Sequence, residues 1–245
     1  MSVHVELTYY GLSSFEVCVD GTRLLFDPWI TDPPWQTPDI DAFDDVEYIF
    51  VTHGASDHLG DTFEIASRSG ATVITEPAVV EHLVGLGLTE DAVERVIWGN
   101  RFELEGYEVR AMETRHLSYF ESSVGNRSGM AIGFYLDFGP TSLYYVGDTS
   151  LFSDLELFVD QYEPDLVLLP VGSAPGAHPP LPPDDAAVAA NWFDGVDILP
   201  VHYIPGSDEL DVFRDEYARL SGTKPRNLLK LSAGETQTLT DYSQS

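Results

Sequence analysis

The sequence predicts an α/β chain built as an αββα four-layer sandwich, with two facing sheets and helices on the outside. Three observations predict it. Short strand patterns joined by tight turns give way to strand–helix alternation, and this order occurs twice along the chain. The 245 residues, 43% hydrophobic and 12% aromatic, supply a substantial core and exclude a disordered chain. No linker-like stretch and no internal repeat divides them, so residues 1–245 are read as a single domain.

In order, strands are expected at His4–Tyr9, Ser14–Val19 and Arg23–Phe26, with Asp20-Gly21 as a hairpin turn between the last two. A proline-rich loop follows, then a buried strand over Val46–Val51. From there the pattern alternates: helix Leu59–Ser67, strand Ala71–Thr75, helix Pro77–Leu86, strand Val96–Trp98. The second half repeats the order. Strands are expected at Glu103–Met112, Met130–Phe138 and Ser142–Val146, with Gly139-Pro140 as a turn. Then come helix Leu151–Val159, strand Leu166–Val171, a Pro/Gly-rich loop from Ser173 to Pro183 and helix Asp184–Phe193. Strand Val196–Pro200, helix Leu210–Leu220 and strands Leu228–Leu231 and Thr236–Leu239 close the chain.

Twelve Lys+Arg against 41 Asp+Glu leave a formal net charge of −29. Such a field repels phosphate backbones and anionic headgroups, so no nucleic-acid and no membrane partner is expected. The acids are dispersed, with only short clusters such as Asp41, Asp44 and Asp45, and Lys224 and Lys230 are the only lysines. A dispersed acidic surface almost free of lysine resembles the proteins of salt-in halophiles and points to a halophilic archaeon. Molar salt shortens the Debye length to about 3 Å and screens the self-repulsion. No apolar run approaches the roughly 20 residues that span a bilayer, and no basic-then-apolar leader opens the chain, so a cytoplasmic location is expected. Cys18, the single cysteine, can form neither an internal disulfide nor a cysteine zinc site and is read as a small buried strand residue.

The chemistry is concentrated at strand ends. Thr52-His53-Gly54-Ala55-Ser56-Asp57-His58-Leu59-Gly60-Asp61 places two imidazoles and a carboxylate after a buried strand. Three later strands end in His116, in Gly147-Asp148 and in His202-Tyr203. Imidazole nitrogen and carboxylate oxygen suit zinc, manganese and iron. One strand-end histidine is more often structural; four such sites in a chain with seven histidines are hard to assign to chance.

These residues, with Thr8-Tyr9-Tyr10-Gly11, Phe26-Asp27-Pro28-Trp29, Val146 to Phe152, Pro164 to Gly172 and Pro200-Val201-His202-Tyr203, resemble the metallo-β-lactamase-fold hydrolases. The signature of that family is His-x-His-x-Asp-His followed by a separate His, Asp and His. Among its members the chain looks closest to the metal-dependent hydrolases related to ascorbate-6-phosphate lactonase, and the resemblance spans nearly the whole sequence. It implies a first metal site on His53, His116 and a bridging Asp148, and a second on Asp57, His58, Asp148 and His202. It further implies that Asp57 both ligates metal and orients the attacking water, without a serine or cysteine nucleophile.

The chain departs from that pattern at one place: Ala55 stands where the family has its middle histidine, and a methyl group coordinates nothing. One ion at the intact second site is the preferred reading; two ions with water or substrate filling the gap, or a metal-free degenerate site, are the others. Zinc or manganese is expected, with iron as an option. Ser56 is a weak substitute ligand.

The expected substrate is a small molecule, a lactone or other ester first and a phosphodiester second. A nuclease is disfavoured by the scarcity of basic residues, and a non-catalytic metal- or ligand-binding protein is the rival from another class. A homo-oligomer is compatible with the sequence. Asp61 is a candidate to orient a ligand imidazole, or else a helix cap. His178 is a candidate substrate contact or an exposed loop residue, and His82 is read as a helix-surface residue. Arg115 and Arg127 could each bind an anionic substrate or form a surface ion pair.

Overall fold

The computed structural model describes residues 3–193, 195–221 and 228–239. In chain order the first half carries β1 (Val5–Gly11), β2 (Ser14–Val19), β3 (Thr22–Phe26), β4 (Tyr48–Val51), α1 (Ser56–Leu59), α2 (Thr62–Ser69), β5 (Thr72–Thr75), α3 (Pro77–Leu86) and β6 (Val93–Arg95). The second carries β7 (Arg101–Leu104), β8 (Tyr107–Ser122), β9 (Gly125–Asp137), β10 (Ser142–Tyr145), α4 (Asp154–Tyr162), β11 (Leu166–Pro170), α5 (Pro183–Trp192), β12 (Asp197–Val201), α6 (Glu209–Ser221) and β13 (Thr236–Thr238). A seven-stranded sheet runs β13-β1-β2-β3-β4-β5-β6, and a six-stranded sheet runs β12-β11-β10-β9-β8-β7.

Each sheet is antiparallel where hairpins build it and parallel where helices cross over. Asp20 and Gly21 take φ of 50° and 97° and close the two-residue β2–β3 loop, as the Asp-Gly pair predicts. β3 to β6 pair in parallel, β4 reaching β5 through α2 and β5 reaching β6 through α3, and β10 to β12 pair likewise through α4 and α5.

Strand alternation divides the core into three. Phe15, Val17 and Val19 of β2 meet Ile132, Phe134 and Leu136 of β9 between the sheets. Ile49, Val51 and Val73 turn outward to Ile65, Val79 and Leu83 of α2 and α3. Tyr144, Val167 and Leu169 turn the other way, to Leu155, Ala186 and Phe213 of α4 to α6. The four layers expected from the sequence are therefore present. Phe15 stacks on Phe26 at 4.4 Å and Phe26 on Phe50 at 4.7 Å, while Tyr145 meets Phe15 edge-on at 4.9 Å. Truncating one such ring to alanine costs about 3–5 kcal/mol.

Several expectations are corrected. The strand expected at Val96–Trp98 lies earlier, at Val93–Arg95, because Ile97 to Asn100 folds into a turn closed by both Asn100 N–H and its side-chain oxygen. The strand expected over Glu103–Met112 is broken at Glu105-Gly106, whose φ of 50° and 89° turn β7 into β8. The helix expected from Leu59 starts at Ser56 and breaks at Gly60, where an added Cβ would fall 2.2 Å from the Pro28 carbonyl. Leu228–Leu231 forms only a bridge from Leu228 to Ile198. Cys18 is half-buried, since alternation on β2 buries Phe15, Val17 and Val19 and turns Cys18 outward. β8 and β9 run well past their expected ends as a two-stranded arm from about residue 117 to 130.

Candidate metal centre

The six histidine and aspartate residues singled out in the sequence come together at the carboxyl ends of the strands, where the two sheets meet. β4 leads into His53 and, through α1, to Asp57 and His58. β10 leads into Asp148 and β12 into His202. His116 sits in an irregularity of β8 between Glu113 and Leu117 that breaks the strand register. His202 takes φ of 55°, and its N–H donates to the Leu12 carbonyl at 2.7 Å, Leu12 itself having φ of 49°. Non-glycine residues hold such backbone only where the surroundings enforce it.

The donor atoms converge. His58 Nε2 lies 3.7 Å from Asp57 Oδ2 and 3.5 Å from Asp148 Oδ2. His202 Nε2 lies 3.5 Å from the same Asp57 oxygen and 3.2 Å from the same Asp148 oxygen. A tetrahedron of about 2.1 Å metal–ligand bonds has edges of about 3.4 Å, so these four edges fit one ion. His53 Nε2, His58 Nε2, His202 Nε2 and Asp148 Oδ1 are all buried without a hydrogen-bond partner, which is costly in a protein interior unless something else satisfies them. Two groups have donors within 4.8 Å of one another and could hold a metal: Asp57, His58 and His202, and His53, His58 and Asp148. His116 is looser, with Nε2 3.9 Å from Asp148 Oδ2 and its ring 4.9 Å from that of His53.

The rings are held from behind. The buried Asp27 accepts from His58 Nδ1 at 2.7 Å, from the Tyr145 hydroxyl at 2.6 Å, and from the Thr52 N–H and hydroxyl at 2.8 and 2.7 Å. His202 Nδ1 faces the Gly172 carbonyl at 3.2 Å, and His53 Nδ1 the Thr52 hydroxyl at 3.1 Å. With each Nδ1 occupied, each Nε2 is left to face the cleft.

Burial works against charge here, and the neighbours decide the outcome. It pushes Asp148 up, but His202 and then His58 outweigh it and hold the carboxyl well below its usual range. Asp57 is likewise brought down to about 2, with the neighbouring His58 and then His202 prevailing over burial. Burial lowers His58 and His202, yet Asp148 above all draws His58 well above its usual value and His202 up to about 9. His53 and His116 go the other way, pushed down by burial, with the His58 charge adding to it. In the protein without metal, two protons on His58 and His202 thus face two ionised carboxylates, in the place of a divalent charge.

A second chain of contacts anchors the ligand loop to the β8–β9 arm. Gly54 N–H donates to Ser118 Oγ at 2.9 Å, and the Ser118 hydroxyl donates to Glu76 Oε1 at 2.7 Å. A Cβ on Gly54 would stand 2.0 Å from the Phe120 ring, so glycine alone permits this approach. A cavity of about 580 Å³ opens beside the loop, bordered by Gly54, Ser56, Leu59, Tyr119, Glu121 and Asn126.

Some nominated residues serve elsewhere. Asp61 does not orient an imidazole: its carboxylate accepts from the N–H groups of Ile30 and Thr31 and from the Thr31 hydroxyl, at 2.6–3.0 Å, and so fastens the loop after β3. Asp27, which the sequence reading does not single out although Phe26-Asp27 follows the same strand-end pattern as the ligands, takes the orienting role. His178 is exposed. His82 is half-buried, with its ring 5.2 Å from Phe120, rather than free on the helix surface. Arg115 pairs with Glu113 at 3.6 Å and lies over the Phe152 ring, so it is a surface ion pair.

Known proteins place the chain. The family described as "Beta-lactamase superfamily domain" matches residues 22–203. A UPF0173 metal-dependent hydrolase of Oenococcus oeni is 34% identical over 206 residues, covering 81% of this chain and 86% of that protein. One of Methanopyrus kandleri is 32% identical over 200 residues, covering 81% and 84%. Among solved structures, Igni18, described as a novel metallo hydrolase from Ignicoccus hospitalis, aligns with a TM-score of 0.76 at 26% identity over 96% of this chain and 98% of that one. The chain belongs to the beta-lactamase superfamily and, within it, to the UPF0173 metal-dependent hydrolase family.

Proposed function

We propose that this member of the family, acting as one domain, holds a divalent ion on Asp57, His58, Asp148 and His202 and hydrolyses a lactone or another ester-type small molecule. The observation that carries the reading is the set of four donor atoms with edges of 3.2–3.7 Å, two of which, His58 Nε2 and His202 Nε2, are buried and unpartnered. Zinc or manganese suits that set of nitrogens and oxygens, and iron is the third option. A second ion on His53, His116 and the shared Asp148 is the alternative, favoured by the unpartnered His53 Nε2; water or substrate would then complete what Ala55 leaves open.

A bound divalent ion supplies a Lewis acid for the scissile group and brings the pKa of coordinated water from about 15.7 towards 7. The chain's own residues do the rest. Asp57, ionised at neutral pH, accepts a hydrogen bond from the attacking water and fixes its direction. His58 is kept in one tautomer by Asp27, and the Tyr145 hydroxyl, held protonated by burial and the nearby Asp27 charge, donates to that same carboxylate. The cavity beside Gly54 receives the rest of the substrate.

The resemblance to ascorbate-6-phosphate lactonase supports a lactone, with a phosphodiester second. The net charge of −29 speaks against a polyanionic nucleic acid. Among the described acids only Glu16, Asp27, Glu76, Asp148 and Asp197 are buried, so nearly all the charge lies on the surface, which supports a salt-accumulating archaeal cytoplasm as its setting. No helix among the described residues is long and apolar enough to cross a membrane.

The test is metal analysis of protein purified without chelator in molar potassium chloride, alongside a panel of lactones and phosphodiesters. One equivalent of metal, whose removal abolishes lactone hydrolysis, is expected. A protein that takes up no metal under any loading sinks the reading; bound metal without turnover of any substrate makes it a binding protein instead. On dialysis into dilute buffer the fold should be lost, and full stability there overturns the halophilic part.

A further inference from the structure

We propose that Arg127 is an oxyanion anchor, holding a carboxylate or phosphate carried by the small molecule that enters the cavity beside the metal centre. The substrate part of this rests on the hydrolase reading above; the anion site itself does not.

The starting point is an anomaly of pairing. Of ten arginines, Arg226 lies outside the described residues, and eight of the other nine stand within 3.8 Å of a carboxylate oxygen. Three of those eight, Arg23, Arg110 and Arg115, also lie over an aromatic ring. Arg127 has neither kind of partner among the described residues, and its Nε is buried with no acceptor. In a chain with 41 acidic residues, a carboxylate is the easiest partner to supply. Arg127 as a whole is half-buried, but a buried N–H of a charged group without an acceptor is unfavourable, and it is relieved when an anion arrives from outside. The planar guanidinium fork matches the two oxygens of a carboxylate or phosphate.

Position supports the same conclusion. Arg127 lies on β9 directly across from Phe120 of β8. Phe120 borders the cavity and presses against Gly54 of the ligand loop. His82 of α3 packs edge-on against Phe120 at 5.2 Å, and its proton affinity is pushed down by burial and then by the Arg127 charge. A neutral His82 leaves Arg127 as the positive charge of this corner. The anion would therefore sit at the end of the substrate remote from the bond that breaks, with Phe120 between the two.

Two measurements test it. In chelated, metal-free protein in molar potassium chloride, inorganic phosphate and acetate are titrated while the arginine Nε–H signals are followed by NMR. The Arg127 signal, identified by its loss in Arg127→Lys, should shift while that of Arg115 does not, and Arg127→Gln should weaken binding at least tenfold. An unmoved Arg127 signal, or equal binding by Arg127→Gln, overturns the site. In the metal-loaded enzyme, a neutral lactone is compared with the same lactone bearing a carboxylate. The ratio of kcat/KM, charged over neutral, should fall at least tenfold in Arg127→Gln, through KM, and hold in Arg115→Gln. Phosphate binding with an unchanged ratio overturns the substrate assignment and leaves a site for a free anion. If no lactone is turned over at all, the hydrolase reading fails while the phosphate titration still decides the anion site.

Discussion

The two halves of the candidate metal centre meet at Asp148 and differ in almost everything else. On one side, His58 and His202 are buried, each with its Nδ1 engaged by Asp27 or by the Gly172 carbonyl, and Asp57 completes the set. On the other, His53 leans on a single hydroxyl, and the His116 side chain is 33% exposed with no ring hydrogen bond among the described residues. Ala55 occupies the place where a further donor would stand. The protons divide in the same way: the first pair of imidazoles is driven up and the second pair down. The contrast teaches that the energy of orienting ligands has been concentrated on one half, which is where an ion should bind first.

The largest expected effect is on pH dependence. With His202 at about 9 and His58 also raised in the metal-free protein, both are protonated at pH 7 and must lose that proton to a metal. Their contribution to the stability of the metal-free fold is complete below the unfolded value near 6.5 and fades as pH rises through about 9. The first equivalent of metal should therefore release about two protons, and its affinity should climb with pH by up to about a hundredfold per unit before levelling near 9. Calorimetry in buffers of different ionisation enthalpy counts them. Release of no protons would erase the distinction between the halves.

Next in size is the support behind His58. Asp27→Asn should lower metal affinity or turnover about 10- to 100-fold. His116→Ala should change the affinity for the first equivalent only a few-fold, on the same scale of effects. Competition with a chromogenic chelator measures both, and equal losses would mean that the halves are energetically alike. The smallest effect on the better half is expected from Ala55→His, which should raise bound metal towards two ions per chain with the first affinity nearly unaltered, as read by equilibrium dialysis. A stoichiometry that stays at one would show that more than a missing ligand separates the two sides.

What could be read from residues alone follows from how local each signal is. The strand ends at His53, Asp148 and His202 announce themselves because a buried apolar run stops at a polar donor, and Asp20-Gly21 carries its turn in two residues. Asp27 ends a strand in the same way, but its role is set by Thr52, His58 and Tyr145, which lie 25, 31 and 118 positions away. Asp61 is a candidate for that role, beside a helix cap, because it follows Asp57 closely in sequence, yet its hydrogen bonds run back to Ile30 and Thr31. The arm of β8 and β9 was under-read for another reason. Beyond the sandwich, one face of the ribbon meets solvent at Leu117 and Tyr119, so polar and apolar residues no longer mark inside and outside. Arg127 looked the same as Arg115 in sequence, and only the pairing of every other described arginine sets it apart.

Tyr145 gives the sandwich one further property. It is rooted in β10 of the second sheet, meets the rings of Phe15 and Phe26 edge-on, and ends on Asp27 at the tip of β3 in the first. Its length acts as a gauge between the two sheets, and the aim of the His58 ring is referred to that gauge through Asp27. The thickness of the hydrophobic core is thereby a tolerance of the active centre: widening or narrowing the gap between sheets detunes the chemistry at its rim, even where no catalytic residue has been touched.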